Sequence, residues 1–108
     1  MSGIAVEWAP FTLTEGVDEE RLLRASEALQ ADFLARQAGF LRRELLRGPD
    51  RQWVDVVHWQ SAEAAEEAMR NVAASSVCQE YFHLMKTADH NDPAGGVTLF
   101  ALRRAYER

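Results

Sequence analysis

Three side chains in this sequence are suited to proton exchange: His58, Tyr81 and His83. An imidazole or a phenol can exchange protons with an aromatic or quinone-like compound, leaving an electron-rich anion able to meet dioxygen. Trp59, Phe82, Phe33 and Met85 have the character to line an apolar pocket between a sheet and its helices, the usual lining of a small-molecule site. Each has a plain structural alternative. His58 can cap a strand, Tyr81 can be a core ring with its hydroxyl at the surface, and His83 can be solvated. The four pocket residues can equally fill a core.

Other groups carry less. Glu44 and Asp55 come face to face if they lie in a hairpin with a two- or four-residue loop. Their repulsion could then leave one of them protonated and able to act as an acid. Arg42 on the same face relieves that repulsion, so a salt cluster is the simpler reading, and a three-residue loop would separate the pair altogether. His58, His83 and His90 have no tight ligand spacing, so no metal site is expected. Cys78 lies in an apolar stripe, where a thiol stays protonated and is a poor nucleophile.

The elements that must position these groups follow from periodicity. Ile4 to Thr14 reads as a strand with Ile4, Val6 and Trp8 on one parity and Phe11 and Leu13 on the other. The switch falls at Ala9-Pro10, where a bulge or an edge position is expected because proline cannot donate to a ladder. After the Glu15-Gly16 turn, Asp18 caps a helix predicted to run to Ala38, with Glu19 and Glu20 in its first turn. Val17 and Leu22 form a staple, and Leu22, Ala25, Leu29, Phe33 and Leu34 its inner stripe. Gly39 ends it as a left-handed residue. Phe40–Arg47 and Gln52–Gln60 form a hairpin about Gly48-Pro49-Asp50-Arg51. The expected register sets Leu46 opposite Trp53, Glu44 opposite Asp55 and Arg42 opposite Val57. Both faces of the hairpin are then apolar enough to need cover, although an antiparallel sheet requires only one buried face.

Ser61 caps a second helix from Ala62 to about Ala73, with Ala65, Ala68, Met69 and Val72 inward. Ser75-Ser76 breaks it. A third helical piece is predicted from Val77 to Thr87, with Cys78, Tyr81, Phe82 and Met85 as one stripe. Residues 89–96 are a loop by composition, and Val97–Tyr106 is a last strand. The expected class is therefore α+β: a single ferredoxin-like βαββαβ domain over residues 1–108, with a four-stranded antiparallel sheet and helices on one face. The other face needs a partner, and a second copy supplies one through a two-fold interface.

Composition narrows the function classes. With 108 residues there is room for one domain, and 47% apolar with 27% charged residues suits a globular chain rather than a disordered one. The net charge of −5 speaks against nucleic acid and against an anionic membrane surface. One cysteine permits no internal disulfide and fits a reducing, cytoplasmic setting. Neither a signal peptide nor a membrane span is expected.

With these elements in place, the chain resembles the dimeric α+β-barrel superfamily, and within it the antibiotic-biosynthesis-monooxygenase-like proteins. The resemblance rests on the Gly39-Phe40 helix exit, the strand Trp53-Val54-Asp55-Val56-Val57-His58-Trp59, and Trp59-Gln60-Ser61 leading into Glu63-Ala64-Ala65. It implies a homodimer joined through the sheet face and, as one activity, a cofactor-independent monooxygenase or a related oxidoreductase or isomerase. The substrate would be a small aromatic or polyketide-like compound. A non-catalytic dimer of the same fold that binds a small ligand, or fills its own pocket, is the alternative. Haem-degrading members resemble one another in a first-strand Asn and a second-helix Trp. Here that strand has no Asn and the helix position matches Ala68, so no haem is implied. The His that many monooxygenase-like members carry in the second helix has no counterpart around Met69.

Overall fold

The computed structural model describes residues 3–86 and 96–108. Strand β1 is Ala5–Thr12, helix α1 is Glu19–Asp32, and strands β2 and β3 are Phe40–Arg47 and Gln52–Trp59. Helices α2 and α3 are Ala62–Asn71 and Ser76–Phe82, and strand β4 is Thr98–Ala101. The sheet is antiparallel in the order β2-β3-β1-β4. This is the expected ferredoxin-like α+β architecture, with the second crossover divided into two helices. No helix of the described residues is long and apolar enough to cross a membrane.

One face of the sheet carries the core. Ala5, Trp53, Val57 and Trp59 from the strands cluster with Leu22 and Leu29 of α1, Phe33 just past its end, Ala65 and Ala68 of α2, and Cys78 and Tyr81 of α3. The first two helix caps are those read from sequence, and the third helix begins at Ser76, one residue before the expected Val77, with Ser75 as its cap. Asp18 accepts the Arg21 amide at 2.8 Å, Ser61 accepts that of Ala64 at 3.1 Å, and Ser75 accepts that of Cys78 at 3.3 Å. Each satisfies an amide that the first helical turn would otherwise leave unpaired.

The helix ends differ from expectation. The α1 helix stops at Asp32 rather than Ala38 and passes through a 3-10 turn at Leu34–Arg36. Phe33 and Leu34 are both buried, and a continuous helix would turn one of these adjacent side chains away from the core. Gly39 does adopt a left-handed φ of +84°, and a Cβ there would lie 2.6 Å from the Ala64 Cβ. It therefore lets β2 enter close against α2. The α3 helix ends at Phe82, short of Thr87, which lies outside the described residues. The chain instead returns along the end of β1, with the Thr14 amide on the Leu84 carbonyl and the Lys86 amide on the Thr12 carbonyl, each at 2.9 Å. The final strand stops at Ala101 rather than Tyr106. The Leu102 amide still reaches Ile4 O at 2.9 Å, the last backbone bond between the two segments among the described residues. Of the loop expected at 89–96, residues 89–95 lie outside the described residues.

Two registers also differ. Strand β1 pairs with β3 without interruption from Ala5↔Trp59 to Thr12↔Gln52, so there is no bulge at Ala9-Pro10. Pro10 sits beyond the last β4 pair, Trp8↔Thr98, where its missing N–H costs that ladder nothing. The odd residues Ala5, Glu7, Ala9 and Phe11 thus all face the helices. The hairpin is shifted by one residue: Arg47 faces Trp53, Leu45 faces Asp55 and Arg43 faces Val57. A bulge between Phe40 and Arg42 restores Phe40 to a place opposite Trp59. The expected Glu44–Asp55 pairing is lost, and the two carboxylates stand on opposite faces.

The cause is a three-residue loop, Pro49-Asp50-Arg51, closed by the Gly48 amide on the Gln52 carbonyl at 2.7 Å. It places Asp50 at φ +52° and Arg51 at φ +65°, a left-handed region that side chains other than glycine seldom adopt. The Arg51 guanidinium holds this conformation by donating to the carbonyls of Leu13 at 3.1 Å, Val17 at 2.6 Å, and Thr14. It ties the hairpin tip to the β1–α1 turn. Arg51→Ala is expected to lower unfolding free energy by about 2–3 kcal/mol, seen as a lower urea midpoint at unchanged slope. A change within about 0.5 kcal/mol, the usual range for a surface substitution, would remove this role.

Candidate functional site

Between the helix face of the sheet and the three helices lies a cavity of about 700 Å³. Its floor is Glu7, Ala9 and Phe11 of β1, Arg43 of β2, and Asp55, Val57 and Trp59 of β3. Its walls are mostly apolar: Leu29 from α1, Phe33 and Leu34 from the turn that follows it, Ala68 and Met69 from α2, Tyr81 and Phe82 from α3, and Met85, with the exposed Lys86 beside it. Ala9 on the floor and Ala68 above it are small where a filled core would carry larger side chains. The volume falls within the range of small-molecule sites, ~300–1,000 Å³.

One side of the cavity is a closed polar network. Arg43 Nε donates to Asp55 Oδ1 at 2.7 Å, and the Tyr81 hydroxyl donates to Asp55 Oδ2 at 2.7 Å. The other Arg43 nitrogens donate to the Tyr81 oxygen at 3.1 Å and to the Ser26 carbonyl at 3.3 Å. The guanidinium carbon lies 5.4 Å from the centre of the Tyr81 ring. Burial holds the Tyr81 phenol far above its ordinary pKa, and the Asp55 charge adds to this. Tyr81 therefore keeps its proton and serves as a donor and a wall.

Glu7 stands apart from this network. Its Oε1 accepts the Trp59 indole N–H at 3.2 Å. Burial raises its pKa above the usual carboxylate value; the Trp59 bond works against that rise, the nearby Asp55 charge adds to it, and the Arg43 charge opposes it. Cys78 also lines the cavity, with its thiol pKa raised by burial, so it is protonated and inert as a nucleophile.

The expected site residues separate into two groups. Tyr81, Trp59, Phe82, Phe33 and Met85 all line the cavity. His58 lies on the opposite face of the sheet, its Nε2 at 3.1 Å from Glu44, which also pairs with Arg42 at 2.6 Å. His83 is exposed at the C-terminal end of α3 and does not line the cavity. His90 lies outside the described residues, and among the described residues no group of three His, Cys, Asp or Glu side chains is placed to hold a metal. Sequence reasoning missed Glu7 and Arg43 as polar groups of the cavity, and it singled out Asp55 but with Glu44 as its partner. A signal for Glu7 existed: it is the charged member of an odd-numbered set, Ala5, Glu7, Ala9 and Phe11, that is only weakly apolar for a strand face turned toward the helices and the core.

No protein-family model matches the chain, and no curated protein matches it in sequence. Solved structures do. SnoaB, a cofactor-independent oxygenase from Streptomyces nogalater, is 22% identical, with a TM-score of 0.72 over 99% of this chain and 100% of its own. A candidate antibiotic biosynthesis monooxygenase from Chloroflexus aurantiacus is 11% identical, with a TM-score of 0.64 over 97% of this chain and 98% of its own. A second such candidate, from Bordetella bronchiseptica, is 17% identical, with a TM-score of 0.61 over 96% and 99%. At these identities the likeness is one of fold.

Proposed function

We propose that this chain, which has the fold of the dimeric α+β-barrel, antibiotic-biosynthesis-monooxygenase-like proteins, is a cofactor-independent monooxygenase. Its substrate is a small aromatic or polyketide-like compound. The observation that carries this reading is the cavity of about 700 Å³, apolar over most of its wall and polar along one side. Trp59, Phe33 and Phe82 in its lining suit a flat ring system, and the polar side can handle its hydroxyl or carbonyl groups. The fold-mate SnoaB is a cofactor-independent oxygenase, which shows that the architecture tolerates such chemistry.

The reaction needs no metal or organic cofactor if the substrate is itself the reductant. Loss of a proton leaves a delocalised anion, and dioxygen takes up its electrons. One oxygen atom enters the ring as a new carbonyl, and the other leaves as water with two hydrogens of the substrate, both from the oxidised carbon of a C–H acid, or one from that carbon and one from the hydroxyl of a phenol. The protein works in the cytoplasm as a homodimer joined through the free sheet face.

The test is oxygen uptake by the EDTA-dialysed protein with anthrone and 1-naphthol as probes. Uptake well above the buffer rate, with one ¹⁸O atom from labelled dioxygen in the product, is the expected result. Tight probe binding without uptake would support the second reading, a ligand-binding dimer of the same fold. That reading is favoured by one observation: neither His58 nor His83 lines the cavity.

A further inference from the structure

We infer that Glu7 is the catalytic residue that removes the substrate proton, and that the substrate is a neutral C–H or O–H acid. The inference rests on the cavity being the active site, as proposed above. It goes beyond that reading in assigning the base and the charge of the compound.

The assignment follows from which acceptors are free. Both oxygens of Asp55 are engaged, Oδ1 by Arg43 and Oδ2 by Tyr81. The Tyr81 hydroxyl spends its proton on Asp55 and accepts from Arg43. On Glu7, by contrast, only Oε1 has a hydrogen-bond partner among the described residues, the Trp59 indole. Among those residues, no buried side-chain oxygen or nitrogen lacks a partner, so Oε2 is not shut away and stands open on the cavity that Glu7 lines. Trp59 is itself fixed, 1% exposed and edge-on to Phe40 with ring centres 5.8 Å apart. The indole N–H therefore orients the carboxylate, leaving one oxygen free to accept.

The energetics agree with that geometry. A carboxylate whose pKa is raised by burial is a stronger base than one in water, and its charge, only partly offset by the Trp59 N–H and Arg43, costs the fold stability once ionised. A costly charge facing a cavity fits a functional rather than a structural role. The charge balance also selects the substrate. On the buried polar side the Arg43 charge is taken up by Asp55 and Glu7 adds a second carboxylate, while Lys86, the other cation of the lining, is exposed to solvent, so a carboxylate or phosphate placed against Glu7 would meet repulsion. A neutral compound meets an acceptor. In the step itself the substrate C–H or O–H bond breaks, its electron pair stays on the substrate as an enolate or phenolate, and the proton goes to Oε2.

The sign of the pH dependence follows. Glu7 must be ionised to act, so turnover rises with pH through its raised pKa, later than for an ordinary carboxylate. The experiment is anaerobic titration of the full chain with anthrone, reading the long-wavelength absorption of its anion. Wild type is expected to bind anthrone and to develop the anion band as pH rises. Glu7→Gln keeps an oxygen for the Trp59 N–H. It is expected to fold with equal or greater stability, to bind anthrone within about threefold, to lack the band, and to lose turnover about 100-fold or more. An undiminished band in Glu7→Gln, or wild type that binds without forming the band, overturns the assignment and leaves the cavity reading standing. Failure of wild type to bind either anthrone or 1-naphthol overturns both.

Discussion

Asp55→Ala is expected to cost about 3–5 kcal/mol of stability, the usual effect of stripping one partner from a buried ion pair. Small domains hold only about 5–15 kcal/mol in total, so much of the variant population should unfold under mild denaturant. The side chains of Arg43 and Asp55 are 6% and 9% exposed, and both Asp55 oxygens are bonded. Removing the carboxylate leaves a buried guanidinium without its counter-charge and the Tyr81 hydroxyl without its acceptor. Asp55→Asn should cost less, because the amide oxygen can still accept from one of the two donors. A double replacement, Arg43→Met with Asp55→Leu, should recover much of the loss, since it removes both charges while keeping apolar volume. Urea unfolding followed by the fluorescence of buried Trp53 and Trp59 measures all three. A loss below about 1 kcal/mol for Asp55→Ala, the range of exposed ion pairs, would mean that the pair is effectively solvated.

This network also shows where sequence reasoning reaches its limit. Strand β3 was legible because Trp53, Val57 and Trp59 alternate strictly with Val54, Val56 and His58, and period-2 alternation survives any change of partner. Which residues of β2 share its face depends on the loop, and a change of one residue exchanges every side chain between faces. The three-residue loop depends on Arg51 reaching carbonyls of a distant turn, and no local pattern reports that contact. Asp55 was therefore matched with Glu44 instead of Arg43. In β1 the strong apolar signal of Ile4, Val6 and Trp8 belongs to the uncovered face. The helix face, with Ala5, Glu7 and Ala9, is muted because it borders a cavity. A pocket thins the periodic signal of the strand that floors it, so the aromatic wall of the site was readable and its charged floor was not.

That uncovered face carries the other large expected effect. Trp8 and Phe100, 41% and 54% exposed, stand on it with Ile4 and Leu46, while Arg42, Glu44 and His58 form a polar group on the β2 side. Val56 is buried on this face and is no part of the helix-side core. Isolated apolar side chains on a surface need no explanation, but a contiguous sheet face of them marks an interface. A second copy is the occupant proposed here, and a two-fold contact uses each residue twice. The double variant Trp8→Glu, Phe100→Glu thus places four carboxylates in one apolar contact. Aromatic anchors of this kind are each worth about 2–4 kcal/mol to an interface, so dimer affinity should fall by at least about 100-fold. The cavity lies on the other side of the sheet and its lining includes neither residue, so the monomeric variant should still bind the ring probes. Sedimentation velocity across a concentration series separates the outcomes. Wild type should sediment at twice the mass of one chain and the variant at the mass of one. A wild-type monomer at 100-fold above ordinary working dilution, on the order of 0.1 mM, would mean that this face meets some other partner or water alone.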